Sequence, residues 1–227
     1  MKKVLCLFLA VIMLVGLCGC LGGNDTDDVR GDIVNGDNSE STNQSEKEPE
    51  FSLGKATDNT YNSDFLGLSC TLPAEWVFYT DEQILELNNM VGDVIDEEVA
   101  ERLKNANIIY DMCAAYQTEG SSINVNLEKL NAAQLITLDI KKTLEAQIDT
   151  IKLTYQNMGY TDINVEYQKI KVDGKDFDGL KIVAKIQGVD FYADVLTFRK
   201  GSYLANVTIG SVQTDKTDTI LSYFKVK

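Results

Sequence analysis

Three glycine-bearing turns constrain this chain more than anything else in it. Asp173-Gly174, Gln187-Gly188 and Lys200-Gly201 divide the last third into runs near 162–172, 176–187, 190–199 and 202–210. Each glycine can supply the positive φ that a tight hairpin turn needs. Four strands joined so closely run antiparallel, because a parallel neighbour requires a crossover of a dozen or more residues. The core of the fold is therefore expected to be an antiparallel meander.

The residues before it alternate between strand and helix patterns. Leu66, Leu68, Cys70 and Leu72 alternate with Gly67, Ser69 and Thr71, the period of a half-buried strand, which Pro73 ends. Trp76-Val77-Phe78 reads as a short strand after it. Thr80 with Gln83 three residues on is a capping-box signature, so a helix carrying Ile84, Leu85 and Asn88 is expected there. A second helical stretch sets Val91, Ile95, Val99 and Leu103 on one stripe. A hairpin follows, 108–116 and 122–130 through Glu119-Gly120. In its second strand Ile123, Val125 and Leu127 alternate with Asn124, Asn126 and Glu128, which predicts one apolar and one polar face. From 138 to 158, Ile140, Leu144, Ile148, Ile151, Tyr155 and Met158 recur at helical spacing, with Gly159 at the C′ position. Asp215 to Phe224 is expected to be a closing helix. The whole is α+β, an antiparallel sheet with packed helices.

Composition removes several functions. The chain of 227 residues has a formal charge of −14, placed as +2 over 1–20, −7 over 21–50 and −9 over 51–227. It has no basic run beyond its first residues, so the clustered Lys and Arg that nucleic-acid binding requires are missing. The chain contains no histidine, which removes Ser-His-Asp and Cys-His pairs and imidazole metal ligands. No cofactor is implied.

The N-terminus reads as an address. Lys2 and Lys3 precede an apolar run from Val4 to Leu17, fourteen residues long, a length suited to a secretory signal. The run ends in Leu17-Cys18-Gly19-Cys20, which resembles the bacterial lipoprotein signal: leucine three before the cut, a small residue before it, and cysteine after it. That resemblance implies a signal peptide over 1–19 and lipid attachment at Cys20. Two or more acyl chains are what stable anchoring takes. The membrane is then a partner through the N-terminal lipid, and the domain lies on the extracytoplasmic face of the cell membrane. Residues 20–58 have few large apolar side chains and are expected to be a disordered acidic tether. Within it Arg30-Gly31-Asp32 is short enough to arise by chance, and Asp25, Asp27, Asp28 and Asp32 lack the spacing of a calcium loop. The folded domain is assigned to 59–227.

The order of elements and Leu72-Pro73-Ala74-Glu75-Trp76 resemble the PsbP/Mog1-like fold, an αβα sandwich. Asn59-Thr60-Tyr61-Asn62-Ser63-Asp64-Phe65, Tyr110-Asp111-Met112 and Ser122-Ile123-Asn124-Val125 are similar to a group of Firmicutes surface lipoproteins with that fold. The resemblance implies a non-catalytic domain, since relatives in this fold act as assembly or adaptor proteins. A protein partner in the cell envelope is expected on that ground.

Candidate chemistry is sparse. Cys70 and Cys113 could pair in an exported domain, but Cys70 shares a face with Leu68 and Leu72 and reads as a buried thiol. Asp173, Asp176 and Asp178 suggest a metal loop but fail the EF-hand register, and the Asp-Gly pair favours a turn. Trp76, Tyr110, Tyr116, Tyr192 and Tyr203 are expected in the core rather than on a ligand platform. Asp111, Asn124 and Asn126 form the polar group of greatest interest. A binding or adaptor domain is the leading reading, a cell-envelope enzyme using a carboxylate pair the alternative, and a small-solute receptor a third.

Overall fold

The computed structural model describes residues 51–88 and 106–227. In chain order the elements are β1 (Lys55–Thr57), β2 (Thr60–Ser63), β3 (Leu68–Thr71), β4 (Val77–Phe78), α1 (Asp81–Leu87), β5 (Ile108–Tyr116) and β6 (Ser121–Lys129). They continue with α2 (Ala132–Thr137), α3 (Ile140–Asn157), β7 (Tyr160–Val172), β8 (Lys175–Ile186), β9 (Val189–Lys200), β10 (Tyr203–Val212), α4 (Thr217–Leu221) and β11 (Phe224–Val226). The strands form two antiparallel sheets, a larger one in the order β4-β5-β6-β10-β9-β8-β7 and a smaller one in the order β1-β2-β3-β11. Among the described residues no helix is long and apolar enough to cross a membrane.

The meander is built as the turns dictate. Val172 pairs with Lys175 and Ile186 with Val189, and both turns place two residues at positive φ: Asp173 and Gly174, Gln187 and Gly188. The third turn falls one residue later than expected, at Gly201-Ser202, because Lys200 itself pairs with Tyr203. β10 then pairs with β6, which joins the meander to the β5–β6 hairpin.

Both faces of the large sheet are covered, and by different things. On one face Ile123, Val125, Leu127, Val207 and Ile209 meet Tyr61, Leu68, Cys70 and Phe224 of the small sheet, forming the principal core. On the other, α3 lays Leu144, Ile151 and Tyr155 over Val165, Leu180, Ile182 and Val195. At the β5 end of that face, Ile84 of α1 sits on Cys113. The capping boxes explain where the short helices start. Thr80 and Gln83 exchange hydrogen bonds at α1, and Asn131 and Gln134 do the same at α2.

Several expectations change. The sandwich has a second sheet in place of a single one, because β1, β2 and β11 add to the strand at Leu68–Thr71. The closing helix is cut to Thr217–Leu221: Phe224, expected at its end, instead begins β11 opposite Cys70. Residues 51–58, assigned to the tether, belong to the folded domain, since β1 pairs with β2 and Phe51 packs on the core. The helix expected over 138–158 forms as α3, with Asp139 as its N-cap and Gly159 at φ 87°. The stripe Val91, Ile95, Val99 and Leu103 lies outside the described residues, as do the signal peptide and the tether before residue 51.

Gly179 of β8 marks the tightest approach in the sheet. A Cβ there would stand 2.4 Å from Ile170 Cδ1 and 2.6 Å from the Val195 carbonyl oxygen. The side chain can turn aside, whereas the backbone oxygen belongs to a ladder that cannot. Gly179→Ala is expected to cost about 1–3 kcal/mol, the range for overpacking a filled site, read as a lower urea midpoint with strand content retained.

Candidate functional site

The polar group of greatest interest is divided by a β-bulge. Tyr110 pairs with Asn126 and Met112 with Val125, so Asp111 is an extra residue in β5. A bulge sets two residues against one and re-aims a side chain. Here it turns Asp111 toward the small sheet, while Asn124 and Asn126 face the helices. The structure therefore does not bring these three residues together.

Asp111 is 5 % exposed. Its Oδ2 accepts from the Tyr61 hydroxyl at 2.6 Å and its Oδ1 from the Gly54 N–H at 2.6 Å. Burial pushes the carboxyl up to about 6, and the Tyr61 and Gly54 donors pull it only part of the way back. Burial, and then the Asp111 charge, raise Tyr61 well above the usual phenol range. Gly54 is required by contact: a Cβ there would lie 2.3 Å from the Tyr61 ring, so only glycine brings its N–H this close to the carboxylate.

On the helix face, amides and hydroxyls form a row across three strands. Asn126 Nδ2 donates to Asn124 Oδ1 at 3.2 Å, Asn206 Nδ2 to Asn126 Oδ1 at 3.2 Å, and Thr197 Oγ1 to Asn206 Oδ1 at 2.8 Å. The pairing sets this order, with Asn206 standing opposite Asn126 on one side and Thr197 on the other. The face expected to be polar is so, but it is buried: Asn124, Asn126, Asn206 and Thr197 are all at 2 % exposure or less.

Several further carboxylates lie beside cations. Asp194 is buried in β9 and its carboxyl is raised by that burial, against the charge of Lys181, whose Nζ is 4.0 Å away. Lys181 also reaches Asp215 at 3.1 Å. The proposed metal-loop aspartates each have their own cation. Asp173 takes Lys225 Nζ at 3.0 Å and the Val226 N–H at 3.2 Å, Asp176 lies 3.5 Å from Lys171, and Asp178 accepts from Lys169 at 2.7 Å and from the Tyr167 hydroxyl at 2.5 Å. The Lys225 contact is the main cause that lowers Asp173. For Asp178 burial acts upward, and the Lys169 and Tyr167 hydrogen bonds outweigh it to leave the carboxyl lowered. Among the described residues no three His, Cys, Asp or Glu side chains converge as a metal site.

Cys70 lies between the sheets and Cys113 under α1, both as free thiols pushed up to about 12 by burial. Cys70 belongs to the small sheet, and Cys113 stands on the face of the large sheet turned away from it. Trp76 and Tyr203 are in the principal core, Tyr116 is half-buried against it, and Tyr110 and Tyr192 are half-buried elsewhere. No aromatic platform results. Cys20, Arg30 and the aspartates of the tether lie outside the described residues. Asn206 and Thr197 escaped the sequence reading although Asn206 and Thr208 alternate with Val207 as Asn124 and Asn126 do with Val125. That alternation is the signal that could have found Asn206, and nothing comparable marks Thr197. Nothing in the sequence marks Gly54 as a partner of a residue 57 positions away.

No protein-family model matches the chain, and no curated protein does. Among solved structures the chain is similar to cyanobacterial PsbP (CyanoP) from Synechocystis, at 14 % identity and a TM-score of 0.41 over 78 % of this chain and 95 % of that one. It is similar to LpqN, described as involved in cell envelope biogenesis of Mycobacterium tuberculosis, at 10 % identity and a TM-score of 0.37 over 68 % of this chain and 75 % of that one. A structure from Bacteroides thetaiotaomicron matches at 9 % identity and a TM-score of 0.37 over 74 % of this chain and 48 % of that one, so this chain spans about half its length. No role is carried over from them.

The amide row makes a sharp expectation. Asn206→Ala strips a partner from both Asn126 and Thr197 in the interior. At about 1–3 kcal/mol for each buried group left unmade, a loss on the order of 2–6 kcal/mol is expected in chemical denaturation, while Thr214→Ala on an exposed turn is expected to be neutral.

Proposed function

We propose that the chain is a lipid-anchored protein of the extracytoplasmic face of the cell membrane. Its α+β domain, of PsbP/Mog1-like type, binds a protein partner of the cell envelope and catalyses no reaction. The anchoring rests on the sequence, where Lys2 and Lys3, the apolar run and Leu17-Cys18-Gly19-Cys20 stand in the order a lipoprotein signal requires.

The observation that carries the non-catalytic reading is how the displaced carboxylates are used. An enzyme working with two acids needs them to face one substrate, about 5–9 Å apart, with the acid of raised pKa able to reach it. Asp111 and Asp194 are two buried acids with raised pKa, yet Asp111 lies under the small sheet with both oxygens taken. Asp194 sits against Lys181 beside α4. The two acids lie on different strands, Asp111 in β5 and Asp194 in β9, and each is engaged by groups of its own neighbourhood. What the domain presents outward is different in kind. α2 has no buried residue, its Ile136 is 86 % exposed, and Arg199 fixes it to the sheet through the Leu135 carbonyl at 3.1 Å.

Cys20→Ala is the direct test. The unaltered chain is expected in the membrane fraction with an acylated N-terminal peptide, and Cys20→Ala as an unacylated precursor that keeps residues 1–19. Recovery of an unaltered chain that retains residues before Cys20 and has no acyl mass overturns the anchoring. For the binding half, the full chain is crosslinked in cells and its partners recovered. Turnover of a cell-wall substrate by the purified protein, with no crosslinked partner, overturns that half.

A further inference from the structure

The segment through which the chain enters the domain is tied into the interior. Phe51 stacks on Tyr203, with ring centroids 5.0 Å apart and planes at 23°, and meets Phe65 edge-on at 5.4 Å and 74°. Leu53 packs on the principal core. Lys55–Thr57 then form β1, an edge strand whose three residues are exposed and which pairs with β2 alone. Between these two parts lies Gly54, whose N–H is bound to Asp111.

The carboxylate at the end of that contact is poorly matched to its surroundings. Facing it are the Gly54 N–H from the entering segment and the Tyr61 hydroxyl from β2, with Ser63 of β2 and Cys70 of β3 beside that hydroxyl. On its own strand and the next it has Met112 and Val125. Among the described residues no lysine or arginine acts on it. Two neutral donors offset part of the cost of a buried charge and leave the rest. Protonation removes that cost without breaking either contact. One oxygen still accepts from Gly54, and the Tyr61 oxygen can accept from the new carboxyl O–H. Lifting residues 51–57 away is the movement that would bring water to Asp111 while leaving the seven-stranded sheet intact.

We propose that Asp111 is a proton-operated latch on residues 51–57: the segment is held closed while the carboxyl keeps its proton and opens more readily once the carboxyl is ionised. The sign follows from linkage. Closing raises the carboxyl from its ordinary 3.8 to about 6, so the closed form binds the proton more tightly and acid favours closure. Opening then releases up to one proton. Its equilibrium constant rises by up to about tenfold per pH unit between the two values and levels off above the upper one, in total on the order of a hundredfold. Opening would add seven residues of free chain, about 25 Å at ~3.3–3.6 Å each. That reach matters only if the N-terminus is anchored as proposed above, whereas the latch itself stands without it.

The test is amide hydrogen exchange on the full chain in detergent at pH 5, 6 and 7, corrected for the intrinsic rate. Protection at Gly54 to Thr57 is expected to fall about tenfold from pH 5 to 7, with Val207 and Ile182 of the large sheet unchanged. Asp111→Asn, which keeps the shape and cannot ionise, is expected to abolish the fall. Tyr61→Phe, which removes a donor that favours the charged form, is expected to move it to higher pH. An equal fall at Val207, a fall that survives in Asp111→Asn, or no fall at all overturns the latch. If Asp111→Asn does not fold, Tyr61→Phe decides, and an unmoved transition counts against the proposal. Cell fractionation of Cys20→Ala reads the anchoring separately, so either idea can fail without the other.

Discussion

Ile123, Val125, Leu127, Val207 and Ile209 stand on one face of β6 and β10, Asn124, Asn126, Asn206 and Thr208 on the other, and both sets are out of water. An antiparallel sheet often leaves one face to solvent. Covering both commits the polar set to finding partners inside, because an amide buried without one costs more than its hydrogen bond would have gained. For the three asparagines the amide row is the answer, and it works only in one register. Slipping β10 by a residue against β6 would put Val207 opposite Asn126 and turn the apolar set over to the helix face. The row thus opposes the errors a long antiparallel pair is prone to.

That arrangement also separates what the sequence could and could not disclose. The meander was legible, because each hairpin is specified by residues adjacent in the chain. Asp173-Gly174 and Gln187-Gly188 carry their positive φ values locally, and the periodicity of α3 needs no distant partner to be read. The small sheet was not. Its strands are three or four residues long, and β3 pairs with β11 through Cys70 and Phe224, more than 150 positions apart. A three-residue strand carries almost no period, so the Phe224 segment reads as the end of a helix until its partner is known. The capping box at Asn131 and Gln134 had the same form as the one at Thr80 and Gln83, and α2 was legible in principle.

The site divides along the same line. An alternating strand implies where Asp111 should point only if the alternation is unbroken, and the bulge at Tyr110/Met112 breaks it. Bulges leave little mark on composition, so the three polar residues that looked like one group are in fact two. One carboxylate is carried into an apolar interior, where a glycine of the entering segment and a tyrosine of β2 receive it. The acids of the meander behave otherwise. Asp178 faces Lys169 across β7 and β8, and Asp194 faces Lys181 across β8 and β9, each pair set by register. Cross-strand charge pairs of this kind add a few tenths of a kcal/mol to about one each. They make the chain's acid excess compatible with long adjacent strands.

A domain held by its N-terminus would take any pull on the leash first at Phe51 and Gly54. β1 has a single neighbour and an exposed surface, so it can come away from β2 one residue at a time instead of shearing all its contacts together. The large sheet shares no backbone hydrogen bonds with β1, and its own ladders would bear no load until the segment was gone. Local opening at a fraction of the global free energy is the usual behaviour of edges and termini. Here the edge is where the chain enters, and the contact proposed to resist its opening is made by Asp111, a buried acid held by two neutral donors. A junction built this way is expected to yield before the domain does, and under the latch proposed above its strength would vary with pH.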